Sequence, residues 1–383
     1  MASYSRLPRL AVRAGLVLCL AALPSAQALL NIDGTRNQLF VFGGVTFGYN
    51  SNIFAQSGGP GDSTVTAHAG VELKRRAGLI AVNSVAKIDY VRYSKYSDES
   101  QFNPSLSLEL DKSEGRTTGS FTLRAYRETR ADTAVNLRTS SWNFPLALNI
   151  KYPINEKFYV TSVTTYLRRT YSDEGLALVN YRDYSEAIDL FYAYTSKLDL
   201  LGGYRLRESR TSARGRATDH WLYVGATGGL FSKLSGTVRV GYQLRHETGP
   251  LTGNDDYTNL NASASVNWPV TRKLALTFLV NRDFNTVATG ASVDSTSLAA
   301  RAQYAYSRKL EFNGGVAVGR NDFLGALQGN RRDTFFTWDV GGIYRLNEHL
   351  QVGASYTYLH NWSSVSFSDF ESHGVSVDIS ARY

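Results

Sequence analysis

The stretch LNASASVNWPVTRKLALTF, residues Leu260–Phe278, carries the pattern that decides the fold. Apolar side chains alternate with polar ones along its first half, with Leu260, Ala262, Ala264, Val266 and Trp268 set against Asn261, Ser263, Ser265 and Asn267. Successive side chains of a strand point to opposite faces, so this period of two predicts a strand with one apolar face. Residues Val270 to Leu274 then predict a tight turn into a second strand.

The same unit recurs along the chain. Alternation returns in Val65–Lys74 and Leu350–Tyr358, and short turns are predicted near residues 76, 114, 155, 196, 232, 271, 308 and 347, at a spacing of about 39 residues. Longer polar connections are predicted at residues 51–61, 172–177, 247–255, 323–330 and 363–369. A soluble sandwich also alternates, but short turns that alternate with longer loops are typical of an outer-membrane barrel.

Eight short turns and about nine loops would join about 18 strands. The predicted fold class is therefore all-β: a transmembrane antiparallel up-and-down β-barrel of about 18 strands, with both termini on the short-turn, periplasmic side. Hydrocarbon offers no partner for backbone N–H and C=O groups, so the first and last strands must also pair. In the last strand, Val377, Ile379 and the terminal Tyr383 look like the assembly signal that the barrel-assembly machinery recognises.

The amino-terminal segment predicts a cleaved secretory signal peptide at residues 1–28. Three arginines precede the apolar run 14–23, and the small-residue end Ala26–Ala28 predicts cleavage near Ala28. The run is too short to span a bilayer as an ordinary helix. We therefore expect a short periplasmic leader at residues 29–38, a barrel at residues 39–383, and a location in the outer membrane.

Composition excludes several functional classes. The chain has 41 Lys and Arg against 33 Asp and Glu, and removal of the signal would leave 38 against 33, too mild an excess to predict a nucleic-acid partner. The 24 Tyr and 18 Phe, with a single Met, favour strands over helices. The one cysteine, Cys19, lies in the predicted signal, so no disulfide and no cysteine metal site is expected.

Catalytic patterns are missing from the sequence. The adjacent pairs Asp219–His220, His246–Glu247 and Glu348–His349 would point to opposite faces of a strand, so none forms a catalytic dyad. No glycine-rich phosphate loop and no His-Glu-x-x-His motif occurs. We predict no enzymatic activity, no cofactor and no metal.

If the apolar face meets lipid, the polar face lines the lumen. The basic residues predicted to line it are Lys74, Lys87, Arg124, Lys151, Arg205, Arg207, Arg239, Arg245, Arg301, Arg345 and Arg382, and the acidic ones are Glu72, Asp89, Glu109, Asp189, Asp199, Glu311, Asp339 and Asp378. This set predicts a mixed wall with a modest cationic excess. Two interpretations remain: the charges pair and hydrate the wall, or the arginines form ladders that guide anionic solutes.

The number of strands and the lengths of the leader and loops bear on whether the lumen is open. A barrel of 16 to 18 strands leaves an aqueous channel unless something fills it. The leader is too short for a plug domain, and the longest predicted loops, residues 51–61 and 247–255, are too short to fold deep inside as a constriction loop. We therefore expect an open or side-chain-gated lumen, which suits large flexible cargo.

The first strand and loop carry a family resemblance. Tyr49, Asn50, Ser51, Asn52, Ile53 and Phe54 resemble the opening motif of the putative β-barrel porin 2 family, which includes EpsL-like proteins linked with exopolysaccharide export. The resemblance implies a conduit for secretion of an exopolysaccharide, with outer-membrane lipid, polysaccharide export proteins and an acidic polysaccharide as partners. A general or solute-selective diffusion porin, and a closed structural or adhesive barrel, remain as alternatives.

Overall fold

The structure is a computed structural model that describes residues 30–31, 37–172, 178–250, 253–325 and 331–383. The predicted signal peptide, residues 1–28, lies outside the described residues, and so do most of the predicted leader and parts of three predicted loops. Within the described residues, no helix is both long and apolar enough to cross a bilayer.

The chain forms one very short strand and 18 long ones. Their bounds are β1 Leu30–Asn31, β2 Asn37–Asn50, β3 Asp62–Ala77, β4 Ile80–Tyr93, β5 Gln101–Lys112, β6 Thr118–Asp132, β7 Leu137–Pro153, β8 Phe158–Tyr171, β9 Tyr181–Ala193, β10 Leu198–Thr211, β11 Arg216–Gly229, β12 Ser235–Gly249, β13 Gly253–Pro269, β14 Leu274–Thr286, β15 Ser292–Ala305, β16 Leu310–Phe323, β17 Arg332–Arg345, β18 Leu350–Ser363 and β19 Phe370–Arg382. The barrel wall thus begins at Asn37, two residues before the predicted start.

Each long strand pairs antiparallel with the next, and the last pairs with the first. The β19–β2 register runs from Gly374 opposite Asn50 to Arg382 opposite Phe42. Val41 and Tyr383 exchange two backbone hydrogen bonds of 2.9 Å at its end. The fold is therefore a closed 18-strand antiparallel all-β barrel, as the sequence predicted.

The eight tight turns lie where the sequence placed them, and five share one local device. The side-chain oxygen of the turn's first polar residue accepts the N–H groups two and three positions ahead, as Thr195 does from Lys197 and Leu198 at 3.2 and 3.0 Å. Four other residues do the same: Asn155, Thr271, Ser307 and Asn347. Short polar side chains that bond to nearby backbone N–H groups specify such turns from local sequence alone.

One predicted loop is wrong. Residues 247–255 do not form a long loop, because Glu247 pairs opposite Asp255 and Thr248 opposite Asn254. Strands β12 and β13 therefore extend to Gly249 and from Gly253. A strand that rises above the hydrocarbon has no need of an apolar face, so its polar sequence resembled a loop.

The outer face of the wall is apolar and exposed. Leu222 has 69% of its surface exposed and Leu260 60%, and aromatic side chains are exposed beside the tight turns: Tyr152, Tyr194, Phe231, Trp268, Tyr306, Phe312 and Tyr344. This is the aromatic girdle expected at the turn-side membrane interface. The aromatic residues Trp221 and Tyr126, by contrast, face inwards.

A charge on the outer face should destabilise the barrel. Val377 lies mid-strand in β19 with 41% of its surface exposed on the outer face, whereas its neighbour Ser376 faces inwards. We expect Val377→Arg to lower the free energy of unfolding in vesicles by about 2–4 kcal/mol, because arginine is costly in hydrocarbon. Ser376→Arg should change it little, and equal losses in the two variants would contradict the assignment of faces.

Candidate functional site

The inner face of the wall is identified by contacts that cross the barrel. Arg205 of β10 contacts Asp283 of β14 at 3.0 Å, although three strands separate them. Buried polar side chains such as Asp219 and Gln243 share this face, while the apolar residues between them are exposed on the other. The alternation therefore places a polar and partly packed lining inside the barrel.

The strand register puts all 19 charged residues of the predicted lumen set on this inner face: Lys74, Lys87, Arg124, Lys151, Arg205, Arg207, Arg239, Arg245, Arg301, Arg345, Arg382, Glu72, Asp89, Glu109, Asp189, Asp199, Glu311, Asp339 and Asp378. Several of them pair with one another. Glu72 contacts both Lys74 at 3.2 Å and Arg382 at 2.5 Å, and Asp189 contacts Arg239 at 2.9 Å.

The predicted cationic excess is wrong. The register adds further inward-facing acids, namely Asp62, Asp111, Glu128, Asp132, Asp183, Asp219, Glu247, Asp255, Asp283 and Asp333, against the bases Arg76, Arg130 and Arg169. The described inner wall therefore holds more acidic than basic side chains. The alternation of inward and outward positions along each strand would have predicted most of these acids. Glu247 was missed because it was assigned to a loop.

The most closely packed part of the lining is a network of charges on β10, β11, β12 and β14, called here the central network: Arg205, Arg207, Asp219, Arg245, Glu247 and Asp283. Arg207 contacts Asp219 at 2.6 Å and Asp283 at 3.2 Å. The side chain of Arg245 is fully buried and lies 2.9 Å from Glu247 and 3.5 Å from Asp219. Each arginine thus has a carboxylate partner, which buried charges require.

The central network draws distant parts of the wall together. Strands β10 and β14 are four steps apart, and at about 4.8 Å a step they would be about 19 Å apart along the wall. Arg207 nevertheless donates to the backbone oxygen of Phe284 at 2.5 Å, and Arg245 donates to Thr286 at 3.1 Å. The loop-side end of β14 therefore lies over the inner surface of β10 to β12 and fills lumen space.

Aromatic side chains extend this packing towards the turns. Phe191, Leu201, Trp221 and Tyr223 form a buried apolar cluster on the inner face, with Tyr159 packed against it. The guanidinium of Arg205 lies 4.6 Å from the Trp221 ring centre, joining the cluster to the central network. This side of the barrel therefore resembles a protein core more than the wall of a wide water-filled pore.

The loop-side mouth is crossed by a second set of contacts. Arg331, at the start of β17, donates to the backbone oxygens of Thr133 and Ala134 at 2.7 and 2.8 Å. Eight strands lie between these positions in one direction around the barrel and ten in the other, so the two sides are almost opposite. Asp333 holds the Arg331 guanidinium at 2.7 Å.

The loop at residues 133–136 also binds two other loops. Asn136 donates to the backbone oxygen of Ala55 and accepts from Ser368, both at 2.5 Å, and all three residues are buried. Its φ of 54° is one that asparagine tolerates better than most residues. Residues 51–61 were predicted to be too short to fold deep inside as a constriction loop. At the mouth, however, three short loops meet and together narrow the opening.

The family motif lies in this mouth. Tyr49 and Asn50 end β2, and the residues after them turn inwards. Asn52 is buried and donates to the backbone oxygens of Gln56 at 2.7 Å and Glu371 at 3.2 Å, while Arg138 donates to Ile53 at 3.3 Å. Of the remaining motif residues, the backbone N–H of Ser51 donates to the backbone oxygen of His373 at 2.9 Å, and the Phe54 ring meets the Tyr96 ring edge to face. The motif therefore serves to fold the first loop into the mouth.

Two predicted features concern assembly and catalysis. Val377 and Ile379 are exposed on the outer face, and Tyr383 closes the β19–β2 pair, but their role as an assembly signal stays a prediction.

Asp219 faces inwards to Arg207, whereas His220 bonds outwards to the Tyr204 hydroxyl at 2.6 Å. That pair is therefore split between the two faces; the lack of enzymatic activity stays a prediction.

Removing one partner from the central network should destabilise the barrel. Arg207→Gln leaves Asp219 and Asp283 without their shared cation, so we expect a loss of about 3–5 kcal/mol in the free energy of unfolding. The matched control is Arg301→Gln, since Arg301 faces inwards but makes no ion pair among the described residues; it should cost less than about 1 kcal/mol. Urea titration in vesicles measures both, and equal effects would mean that the network contributes no stability.

The chain is similar to one known protein family over part of its length and to several solved barrels over most of it. Residues 205–383 match the model of the family described as Putative beta-barrel porin 2. No curated protein matches the chain. Among solved structures, OpdK of Pseudomonas aeruginosa with vanillate is 10% identical at a TM-score of 0.49, over 90% of this chain and 99% of that one. OccK5 (OpdH) of the same species is 11% identical at 0.49, over 91% and 98%.

The FrpB iron transporter of Neisseria meningitidis is 13% identical at a TM-score of 0.46, over 88% of this chain. This chain spans 64% of the FrpB length. A closed barrel with an apolar exterior meets the conditions for spanning hydrocarbon with strands. The chain thus forms a closed barrel of the kind found in outer membranes, and its residues 205–383 are similar to the family described as Putative beta-barrel porin 2.

Proposed function

We propose that this barrel is a solute-selective diffusion channel for small polar molecules. The observation that carries the proposal is the pair of contacts from almost opposite sides of the mouth, from Arg331 to Thr133 and Ala134. A round barrel of 18 strands would be about 35 Å across. Loops that meet across such a width divide it into narrower passages, which suits small solutes.

The inner wall offers two cavities of small-molecule size. One, of about 480 Å³, lies along β6 to β10 and is lined in part by Thr122, Arg124, Asp183, Ser185 and Arg207. A second, of about 580 Å³, lies nearer the turns. Volumes of this order hold a single small ligand rather than a polymer.

Arg124 is the residue in the first cavity best suited to select a solute. It makes no ion pair among the described residues, whereas Arg207 in the same cavity is held by Asp219 and Asp283. A free guanidinium binds a carboxylate through two parallel hydrogen bonds. The proposed solutes are therefore small polar molecules that carry a carboxylate, with Asp183 nearby to contact a donor group.

Export of an exopolysaccharide is the second candidate. It rests on the resemblance in Tyr49–Phe54 and on the width that 18 strands would allow without the mouth contacts. Neither the family description nor the similar structures name such a cargo. A polymer would need the loops of the mouth to separate, which the contacts of Asn136 and Arg331 oppose.

Planar bilayers test the size of the passage. We expect small single-channel conductance that neutral polymers of large size do not reduce, because they cannot enter. Loss of the four mouth hydrogen bonds in Arg331→Ala/Asn136→Ala should raise conductance and admit larger polymers. Arg320→Ala is the control, since Arg320 faces outwards and pairs with Asp322 at 2.9 Å. Large polymers entering the unaltered barrel would contradict the proposal and favour export.

Liposome swelling tests the solute. We expect Arg124→Gln to slow the uptake of small carboxylates by several-fold and to leave neutral sugars of similar size unchanged, because only the former lose a charge-assisted contact. Arg301→Gln removes an inward arginine outside this cavity and serves as the control. Equal slowing of acids and sugars would show that Arg124 affects pore width and not selectivity.

A further inference from the structure

A row of four arginines crosses the outer face of the wall near the loops. Arg168 lies opposite Arg182, Arg182 opposite Arg210, and Arg210 opposite Arg216, on the consecutive strands β8 to β11. All four are exposed. They share the outer face with Tyr184 and Tyr204, both exposed and closer to the middle of the wall. The arginine row therefore lies at the loop-side edge of the membrane-facing surface.

The arginine row has too few acidic partners. Glu208 contacts Arg210 and lies 3.1 Å from the Nε of Arg216, but Arg168 and Arg182 form no ion pair among the described residues. Like charges directly opposite one another on neighbouring strands destabilise a sheet. The barrel alone thus keeps a repulsion that a bound anion would relieve.

Outer-face arginines on β16 and β17, at the same end of the barrel, have an acidic partner. Asp322 lies between Arg320 and Arg332, at 2.9 and 2.8 Å. The rim at β16 and β17 thus carries its own neutralising acid, whereas β8 to β11 set four arginines opposite one another. Beside this row the surface forms an open cavity of about 400 Å³, which Arg214, Asn180 and Ser212 also line.

The position of the row identifies the chemistry of its partner. In outer-membrane barrels the longer loops face the cell exterior, so the row lies at the headgroup level of the outer leaflet. The lipid of that leaflet is a glycolipid that carries phosphate groups on its sugars. Guanidinium groups bind phosphate in a fixed fork, and basic pockets at membrane interfaces bind anionic headgroups.

We propose that the arginine row is a binding site for the phosphorylated headgroup of an outer-leaflet glycolipid, with Arg168 and Arg182 as its principal ligands. Arg210 and Arg216, which Glu208 partly neutralises, complete the positive surface. The proposal rests on the outer-membrane location of the barrel and is independent of what the channel conducts.

Native mass spectrometry of the full barrel in detergent, titrated with bisphosphorylated lipid A, tests the site. We expect Arg168→Gln/Arg182→Gln to weaken binding by about tenfold or more, because two charge-assisted contacts are lost. Arg168→Lys/Arg182→Lys keeps the charge but loses the fork, so its affinity should fall between the two. The control, Arg320→Gln/Arg332→Gln, removes the same charge from the paired region and should bind like the unaltered barrel.

Two probes separate the lipid from other anions. Dephosphorylated lipid A should bind the unaltered barrel and the Arg168→Gln/Arg182→Gln variant equally weakly, and inorganic phosphate should compete only at far higher concentration. Equal lipid A binding by that variant and the control would overturn the proposal. So would competition by inorganic phosphate at the concentration of the lipid, because the row would then be a site for soluble anions. Migration of each barrel before and after heating on a gel confirms folding.

Discussion

Closure of the sheet is the constraint on which the rest of the structure depends. Backbone groups that face hydrocarbon have no other partner, so β19 must pair with β2 and every strand must keep its register. Once the ring is closed, strict alternation gives the wall two faces of different chemistry. The outer face is set by lipid, and the inner face is free to carry whatever the function needs.

The inner face is densely packed on one side of the barrel and more open on the other. Along β8 to β14 it carries the apolar cluster around Trp221 and the central network of Arg205, Arg207 and Arg245, which holds the end of β14 against the wall. On the other side, contacts such as Lys87 with Asp89 at 2.8 Å are local and part-exposed. Buried charges need complete pairing, and exposed ones contribute little stability. The first region therefore supports the barrel, and the solute cavity along β6 to β10 lies at its edge, where the central network borders the more open wall.

Features encoded by neighbouring residues could be predicted from the sequence. The tight turns follow from single side chains such as Thr195 and Asn347, which bond to the backbone two and three residues ahead. The inward faces of most strands followed from parity. Contacts between distant residues could not be predicted, because Arg207 lies 76 residues from Asp283 and Arg331 lies 198 from Thr133. Those contacts narrow the lumen. The lumen predicted from the sequence, which could not include them, was therefore wider than that of the structure.

The meeting of loops across the mouth can be measured as a distance between the two sides of the barrel. Spin labels on Ala134→Cys and Arg332→Cys report on the two sides without removing Arg331, and the only native cysteine, Cys19, lies in the predicted signal peptide. For the barrel in a lipid bilayer, we expect one narrow distance well below the diameter of about 35 Å of a round barrel of 18 strands. A broad distribution centred near that full diameter would contradict it and show that the mouth stands open.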